Sequence, residues 1–187
     1  MKISNWRATI CVALSLCMTA LVHAEDKEVK FNSLKLTVPE SWESQDPSNN
    51  LRLGQFKIAP VKDEGESEIY IASFPGGGGG VDANVSRWIS QFTSEGRKVK
   101  VTQGKAPQGD YVLADISGTY KQSIGPPVRM QTKEVPNSRM LGVILMIENE
   151  GIYFVKFTGG KETVASQEKA FRKSFGGSAE TEKPYEK

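Results

Sequence analysis

Residues 140–157 read MLGVILMIENEGIYFVKF, and this stretch decides the fold. The segment from Met140 to Ile147 is the most apolar run that follows the N-terminal segment, and Ile152 to Phe157 form a second apolar run. The tetrapeptide between them, Glu148 to Gly151, is polar and ends in glycine, a composition typical of a tight turn. The stretch therefore predicts a hairpin that supplies the central strands of a sheet.

Shorter runs outside this hairpin alternate apolar and polar residues, which predicts strands at 34–38, 51–58, 68–72, 99–101 and 111–116. Two other segments have helical spacing. Apolar residues recur every three or four positions from Val81 to Phe92 and again from Val164 to Phe175, and Gly176 and Gly177 end the second segment. This order predicts an α+β domain in which helices flank an antiparallel β-sheet.

A long loop is predicted between about Gln122 and Ser138. It contains Gly125-Pro126-Pro127 and Pro136-Asn137, and proline is excluded from central sheet strands because it lacks a backbone donor. Loops of this length often carry binding functions. We therefore expect the loop to serve in recognition.

The N-terminal residues 1–24 have the three parts of a signal peptide: basic residues, an apolar segment too short to span a bilayer, and a small-residue site that predicts cleavage after Ala24. Lipid attachment at Cys17 is the alternative, but Leu16 occupies a position that normally holds Gly or Ala. The protein is expected to be periplasmic or secreted, without a stable membrane anchor.

Cleavage would remove both cysteines and the single histidine, because Cys11, Cys17 and His23 all lie in residues 1–24. The mature chain would then have no disulfides, no thiol nucleophile, no Cys or His zinc site and no His-based triad. It would also be formally neutral, since losing Lys2 and Arg7 leaves 22 basic and 22 acidic residues. Neutrality gives no support for nucleic-acid binding.

The length that remains suits one domain, predicted at residues 25–177. Glu180 to Lys187 contain no apolar anchor, and residues 178–187 are predicted to be a disordered tail.

Three stretches resemble the PsbP and Mog superfamily, in particular small exported bacterial members: Leu36 to Trp42, Gly79 to Gln91, and Tyr153 to Gly159 leading into the last helix. The resemblance covers most of residues 30–176. It implies an α/β/α sandwich and a non-catalytic role in binding or assembly, as in the PsbP proteins that support photosystem II and the Mog proteins that bind the Ran GTPase. It assigns no functional residue of this chain.

The glycine run before the first helix is the candidate site, because a helix N-terminus presents unpaired backbone donors to an anion. Its predicted members are Gly78, Gly79, Gly80, Asn84, Arg87 and Gln91. The alternative is a pliable connector, because no complete nucleotide-binding motif accompanies the glycines and Asp82 would repel an anion.

Two further patterns are weaker. Asp63, Glu64, Glu66 and Glu68 have carboxylates suited to calcium, but their spacing fits no EF-hand and indicates a solvated hairpin tip. The pair Ser166 and Lys169 matches Ser-x-x-Lys without the other two elements of that enzyme signature. We predict no catalytic residue, metal or cofactor.

These observations favour an exported, non-enzymatic domain that binds a protein or an envelope component through the 122–138 loop. The alternative is a small-ligand or anion-binding protein that uses Gly76–Gly80 and the following helix.

Overall fold

The structure is a computed structural model that describes residues 26–125 and 131–186. Eight antiparallel strands form the main sheet, in the spatial order β10-β6-β7-β8-β9-β5-β4-β3, and β1 and β2 form a separate hairpin. The strands are β1 (Asp26–Phe31), β2 (Leu34–Pro39), β3 (Glu43–Gln45), β4 (Gly54–Ile58), β5 (Ser67–Ser73), β6 (Lys98–Ala106), β7 (Gly109–Ser123), β8 (Thr132–Ile147), β9 (Gly151–Gly160) and β10 (Lys183–Pro184). The helices are α1 (Val81–Ser90) and α2 (Lys161–Phe175), with a short 3₁₀ helix at Pro75–Gly79.

The hairpin predicted from residues 140–157 is confirmed, since β8 and β9 pair from Ser138–Gly160 to Ile147–Gly151 and lie in the middle of the sheet. Successive side chains of a strand point to opposite faces. In β9, Val155 and Phe157 therefore face one side, and Phe154 and Lys156 face the other.

The two faces are covered differently. On the α2 face, helix α2 and the β1–β2 hairpin share one core with the sheet, including Leu36, Val155 and Phe171. On the α1 face, helix α1 places Val85 and Trp88 against β7 and β8. Among the described residues, α1 packs mainly on β7 and β8 and shares its core with Ala72 at the end of β5, while β4 and β3 lie further out on this face.

The predicted α/β/α sandwich, implied by the PsbP and Mog resemblance, is wrong. Strands make up 52 % of the structure and helices 18 %, so the described part of the chain is mainly an antiparallel β-sheet with two helices, and not the α+β arrangement of helices flanking a sheet that the element order predicted. Two short helices do not form layers that enclose a sheet of eight strands.

The predicted 122–138 loop is also wrong at both of its ends. Strand β7 continues to Ser123 and β8 begins at Thr132, and the two strands stay paired along this extension. The register shifts between Gly118 and Tyr120, opposite Pro136 and Asn137, where Asn137 has a positive φ of 53°. A β-bulge is one of the few places where a sheet accepts proline, because no ladder hydrogen bond is required there.

The segment 178–186, predicted to be disordered, lies against the edge of the sheet. Lys183 and Pro184 pair with β6, and the Glu182 side chain is only 3 % exposed. Its carboxylate accepts hydrogen bonds from Arg172, Thr102 and Tyr111. The buried Glu182 carboxylate and the partly buried Tyr185, which packs against the α1-face core, anchor this segment.

Helix α2 ends at Gly176 in the left-handed conformation, as predicted. Its N-terminus is capped from another element, because the Glu64 carboxylate accepts hydrogen bonds from the backbone N–H groups of Glu162 and Thr163 and from the Thr163 hydroxyl. Neither helix in the described part of the chain is long and apolar enough to cross a membrane. The predicted signal peptide at 1–24, the Cys17 lipidation alternative and residues 126–130 lie outside the described residues.

Candidate functional site

The predicted glycine site forms a compact hydrogen-bonded unit at the start of α1. Asn84 is 3 % exposed, and its amide nitrogen donates to the carbonyl oxygens of Gly78 at 2.9 Å and Gly80 at 2.7 Å. Its amide oxygen accepts a hydrogen bond of 2.8 Å from Arg87. The polar groups of Asn84 are therefore used to hold the glycine run in place, and Gly79 lies between the two bonded glycines.

Gln91 belongs to a different site. It follows the last residue of α1, and its backbone carbonyl accepts a 2.7 Å hydrogen bond from the Lys121 N–H on the β7–β8 extension. Its side-chain oxygen accepts a 2.6 Å hydrogen bond from Lys156 Nζ. Gln91 thus connects the end of α1 to a buried lysine on the central strand β9.

Lys156 is a buried lysine that has no carboxylate partner among the described residues. It lies in the middle of β9, directly opposite Tyr70 of β5 on one side and Gly142 of β8 on the other. Only 3 % of it is exposed, and within the described residues it forms no ion pair. Burial lowers the pKa of this ammonium from 10.5 to about 8.

Two tyrosine rings flank the ammonium. Lys156 Nζ lies 5.5 Å from the centre of the Tyr120 ring and 5.8 Å from that of Tyr70, distances at which a cation interacts favourably with an aromatic face. Burial raises the pKa of the Tyr120 hydroxyl to about 12 and raises that of Tyr70 as well. Both phenols therefore stay neutral across the physiological range.

A charged pair forms the neighbouring wall. The Arg52 guanidinium lies 4.3 Å from the centre of the Tyr70 ring and donates two hydrogen bonds, of 2.9 and 3.1 Å, to the Glu68 carboxylate. It also donates to Gln55 at 2.7 Å. Three of the five N–H donors of Arg52 are used in this way, and its charge is paired with Glu68, whereas the Lys156 ammonium has one hydrogen bond and no ion pair among the described residues.

These residues line an open groove of about 1120 Å³ on the α1 face. The lining includes Arg52, Glu68, Tyr70, Gln91, Tyr120 and Lys156. The groove lies beyond the C-terminal end of α1, next to Gln91, and residues of the β7–β8 extension such as Tyr120 and Gln122 form one of its walls. Near its floor the Thr158 hydroxyl, two residues along β9 from Lys156, has no hydrogen-bond partner in the described structure.

The chain matches no protein-family model, and no curated protein matches it. Among solved structures it is similar to a protein of unknown function from Pseudomonas aeruginosa, with a TM-score of 0.44 and 16 % sequence identity. That match covers 80 % of this chain and 92 % of the other. A likeness at this level identifies neither a family nor an activity, so the resemblance to PsbP and Mog proteins stays a prediction.

The groove is lined mainly by charged, amide and hydroxyl side chains, which suit the binding of a polar ligand. Among the described residues, no three Asp, Glu, His or Cys side chains are placed to hold a metal ion. Of the predicted site residues, the structure brings Gly78, Gly80, Asn84 and Arg87 together and places Gln91 beside Lys156. Lys156 and its aromatic neighbours were not among the predicted site residues, although a lysine inside an apolar central strand indicates a buried charge.

Proposed function

We propose that this protein is a binding domain that holds an anionic group of its ligand against Lys156 in the groove of the α1 face. The observation that carries this proposal is the burial of the ammonium without a carboxylate partner in the described residues. A buried charge is strongly unfavourable unless another group compensates it. Buried groups whose pKa is perturbed in this way, at the floor of a cleft, are typical of functional sites.

The donors around Lys156 support a carboxylate or phosphate as the bound group. An ammonium has three N–H bonds, and only the one directed to Gln91 is used within the described protein. The Gln91 side chain also lines the groove, and its amide nitrogen is free of that bond because the amide oxygen is the acceptor. Two donors at adjacent positions match the oxygen atoms of an anion.

This proposal keeps the alternative drawn from the sequence, a small-ligand or anion-binding protein, but moves the site from the glycine run to the groove. Export to the periplasm or medium remains part of the proposal and is supported by residues 1–24 alone. Sequencing the N-terminus of the protein recovered from the cell envelope or medium tests it, and a chain that begins at Met1 would contradict it. Binding of a protein partner stays a prediction.

The test is a titration of the ¹⁵N-labelled protein with acetate and with inorganic phosphate at pH 7. We expect the amide signals of Gln91, Tyr120 and Lys156 to shift with at least one of these anions. The K156M variant should lose those shifts. The K57M variant should retain them: Lys57 also lines the groove, but its charge is already paired with Glu66. Unmoved amide signals in the unmodified protein, or equal shifts in K156M, would refute the proposal.

A further inference from the structure

The surroundings of Lys156 resemble those that make an amine reactive. Its Nζ atom lies at the floor of the groove, is oriented by a single acceptor on Gln91, and lies near the rings of Tyr70 and Tyr120. We propose that the ligand is a 2-oxo acid, and that Lys156 captures it by forming an imine with its carbonyl carbon. This inference rests on the proposed function, because it requires the same groove and the same cation.

The first requirement is an amine that is neutral in a useful fraction of molecules, since only the neutral form attacks a carbonyl carbon. With a pKa of about 8, about half of the Lys156 side chains are neutral at pH 8. Desolvation is the main cause, and it acts because the side chain is confined to the central strand. Lys57 provides a contrast, since its hydrogen bond and ion pair with Glu66 raise its pKa.

The step balances without an additional reactant. The nitrogen lone pair attacks the carbonyl carbon and forms a C–N bond, and the carbonyl oxygen leaves as water with the two hydrogens of the amine. The product is a C=N bond, which takes one proton from solvent and becomes a cationic imine. No oxidant or reductant is needed, and the addition of water reverses the step.

A carboxylate next to the carbonyl explains why a 2-oxo acid suits this groove better than a simple aldehyde. The protonated imine keeps the positive charge on Nζ, so the adjacent carboxylate of the captured ligand remains close to a cation in a poorly solvated site. We expect the Gln91 amide N–H to donate to the same carboxylate. Burial raises the pKa of the Tyr70 and Tyr120 hydroxyls, so both stay neutral, and the negative charge of Glu68, which favours the Lys156 ammonium, is paired with Arg52.

The test uses glyoxylate, the smallest 2-oxo acid, at pH 8, followed by sodium borohydride, which reduces an imine to a stable secondary amine. Peptide mass spectrometry then locates the carboxymethyl group that this reaction leaves on lysine. We expect the yield at Lys156 to exceed the yield at Lys57 at least tenfold. The K156R variant should show no adduct at that position, and the K57R variant should be labelled at Lys156 like the unmodified protein.

Two controls separate this inference from the proposed function. Glycolate, which has the carboxylate but no carbonyl group, should shift the Gln91 and Lys156 amide signals, leave no adduct and protect Lys156 from glyoxylate. If acetate and glyoxylate both shift these signals but the adduct yield at Lys156 does not exceed that at Lys57, imine capture is refuted and the anion site stands. If neither anion shifts the signals and no adduct forms, both proposals are refuted.

Discussion

Replacing Lys156 by methionine should make the protein more stable, although it removes the central residue of the site. Burial lowers the pKa of Lys156 from 10.5 to about 8, which corresponds to about 3 kcal/mol of unfavourable free energy in the charged folded state. Methionine has a similar length and no charge, so K156M does not have this unfavourable free energy of charge burial. Losing the 2.6 Å hydrogen bond to Gln91 offsets about 1 kcal/mol of the gain. We expect K156M to be about 2 kcal/mol more stable at pH 7.

The pH dependence gives the sharper test. Because the folded pKa of Lys156 lies below the unfolded value, the unfolded state binds more protons between pH 8 and 10.5, and the stability of the unmodified protein rises with pH in that window. K156M has no titrating group at position 156, so its stability should not rise with pH for this reason. The advantage of K156M should therefore be full below pH 8 and close to zero at pH 10.

Urea unfolding at pH 7, 8, 9 and 10, followed by tryptophan fluorescence, measures both effects. K57M serves as the matched control, because Lys57 is a lysine of the same sheet face that carries its charge near solvent. A K156M protein that is less stable than the unmodified protein at pH 7 would show that the buried charge is compensated. A stability difference that does not change with pH would show that the charge of Lys156 is not its cause.

Other measurements test the anion site and the structural roles assigned above. Anion binding should weaken above pH 8, as Lys156 loses its proton, and a titration that gives equal affinity at pH 7 and 10 would contradict the site. E64Q should destabilise the protein by about 1 kcal/mol at pH 7. Burial raises the pKa of Glu64, but the hydrogen bonds from α2 outweigh this effect and lower it. The unmodified protein should therefore lose stability as the pH falls below 4.5, and E64Q should lose less. G142A should cost about 1–3 kcal/mol, since an added Cβ would lie 2.5 Å from the Trp88 ring, whereas G65A, with open space around it, should not. E182Q should cost about 2–3 kcal/mol in urea unfolding, because it weakens a buried hydrogen-bonded ion pair.

The parts of the fold that could be predicted are those in which local pattern and tertiary environment agree. The 140–157 hairpin is apolar on both faces and occupies the centre of the sheet, where both faces are covered. Helix α2 ends at the glycine that the sequence indicated. The extension of β7 and β8 could not be predicted, because Pro136 interrupts a strand pattern, and only the pairing of the two chains shows that it lies at a bulge.

The site was predictable only in part. Gln91 was identified from its position on the polar side of α1, but its partner is 65 residues away in the chain. Lys156 alternates with Val155 and Phe157, and in a half-buried strand such a residue would face water. That its face is buried at this point depends on α1, Tyr70 and Tyr120, which come from distant parts of the sequence.

The position of Lys156 on β9 links the stability prediction to the binding proposal. A lysine near a sheet edge can extend its ammonium into water, but the backbone of Lys156 is held by strands on both sides and its ammonium by Gln91. Besides the partial compensation by Glu68 and Gln91, the free protein relieves the unfavourable burial by releasing a proton, whereas a bound anion relieves it directly. A variant that removes the charge should therefore gain stability and lose binding together. K156M could gain stability and still bind acetate or phosphate as the unmodified protein does. That result would confirm that the buried charge is destabilising and would refute its proposed role in anion binding.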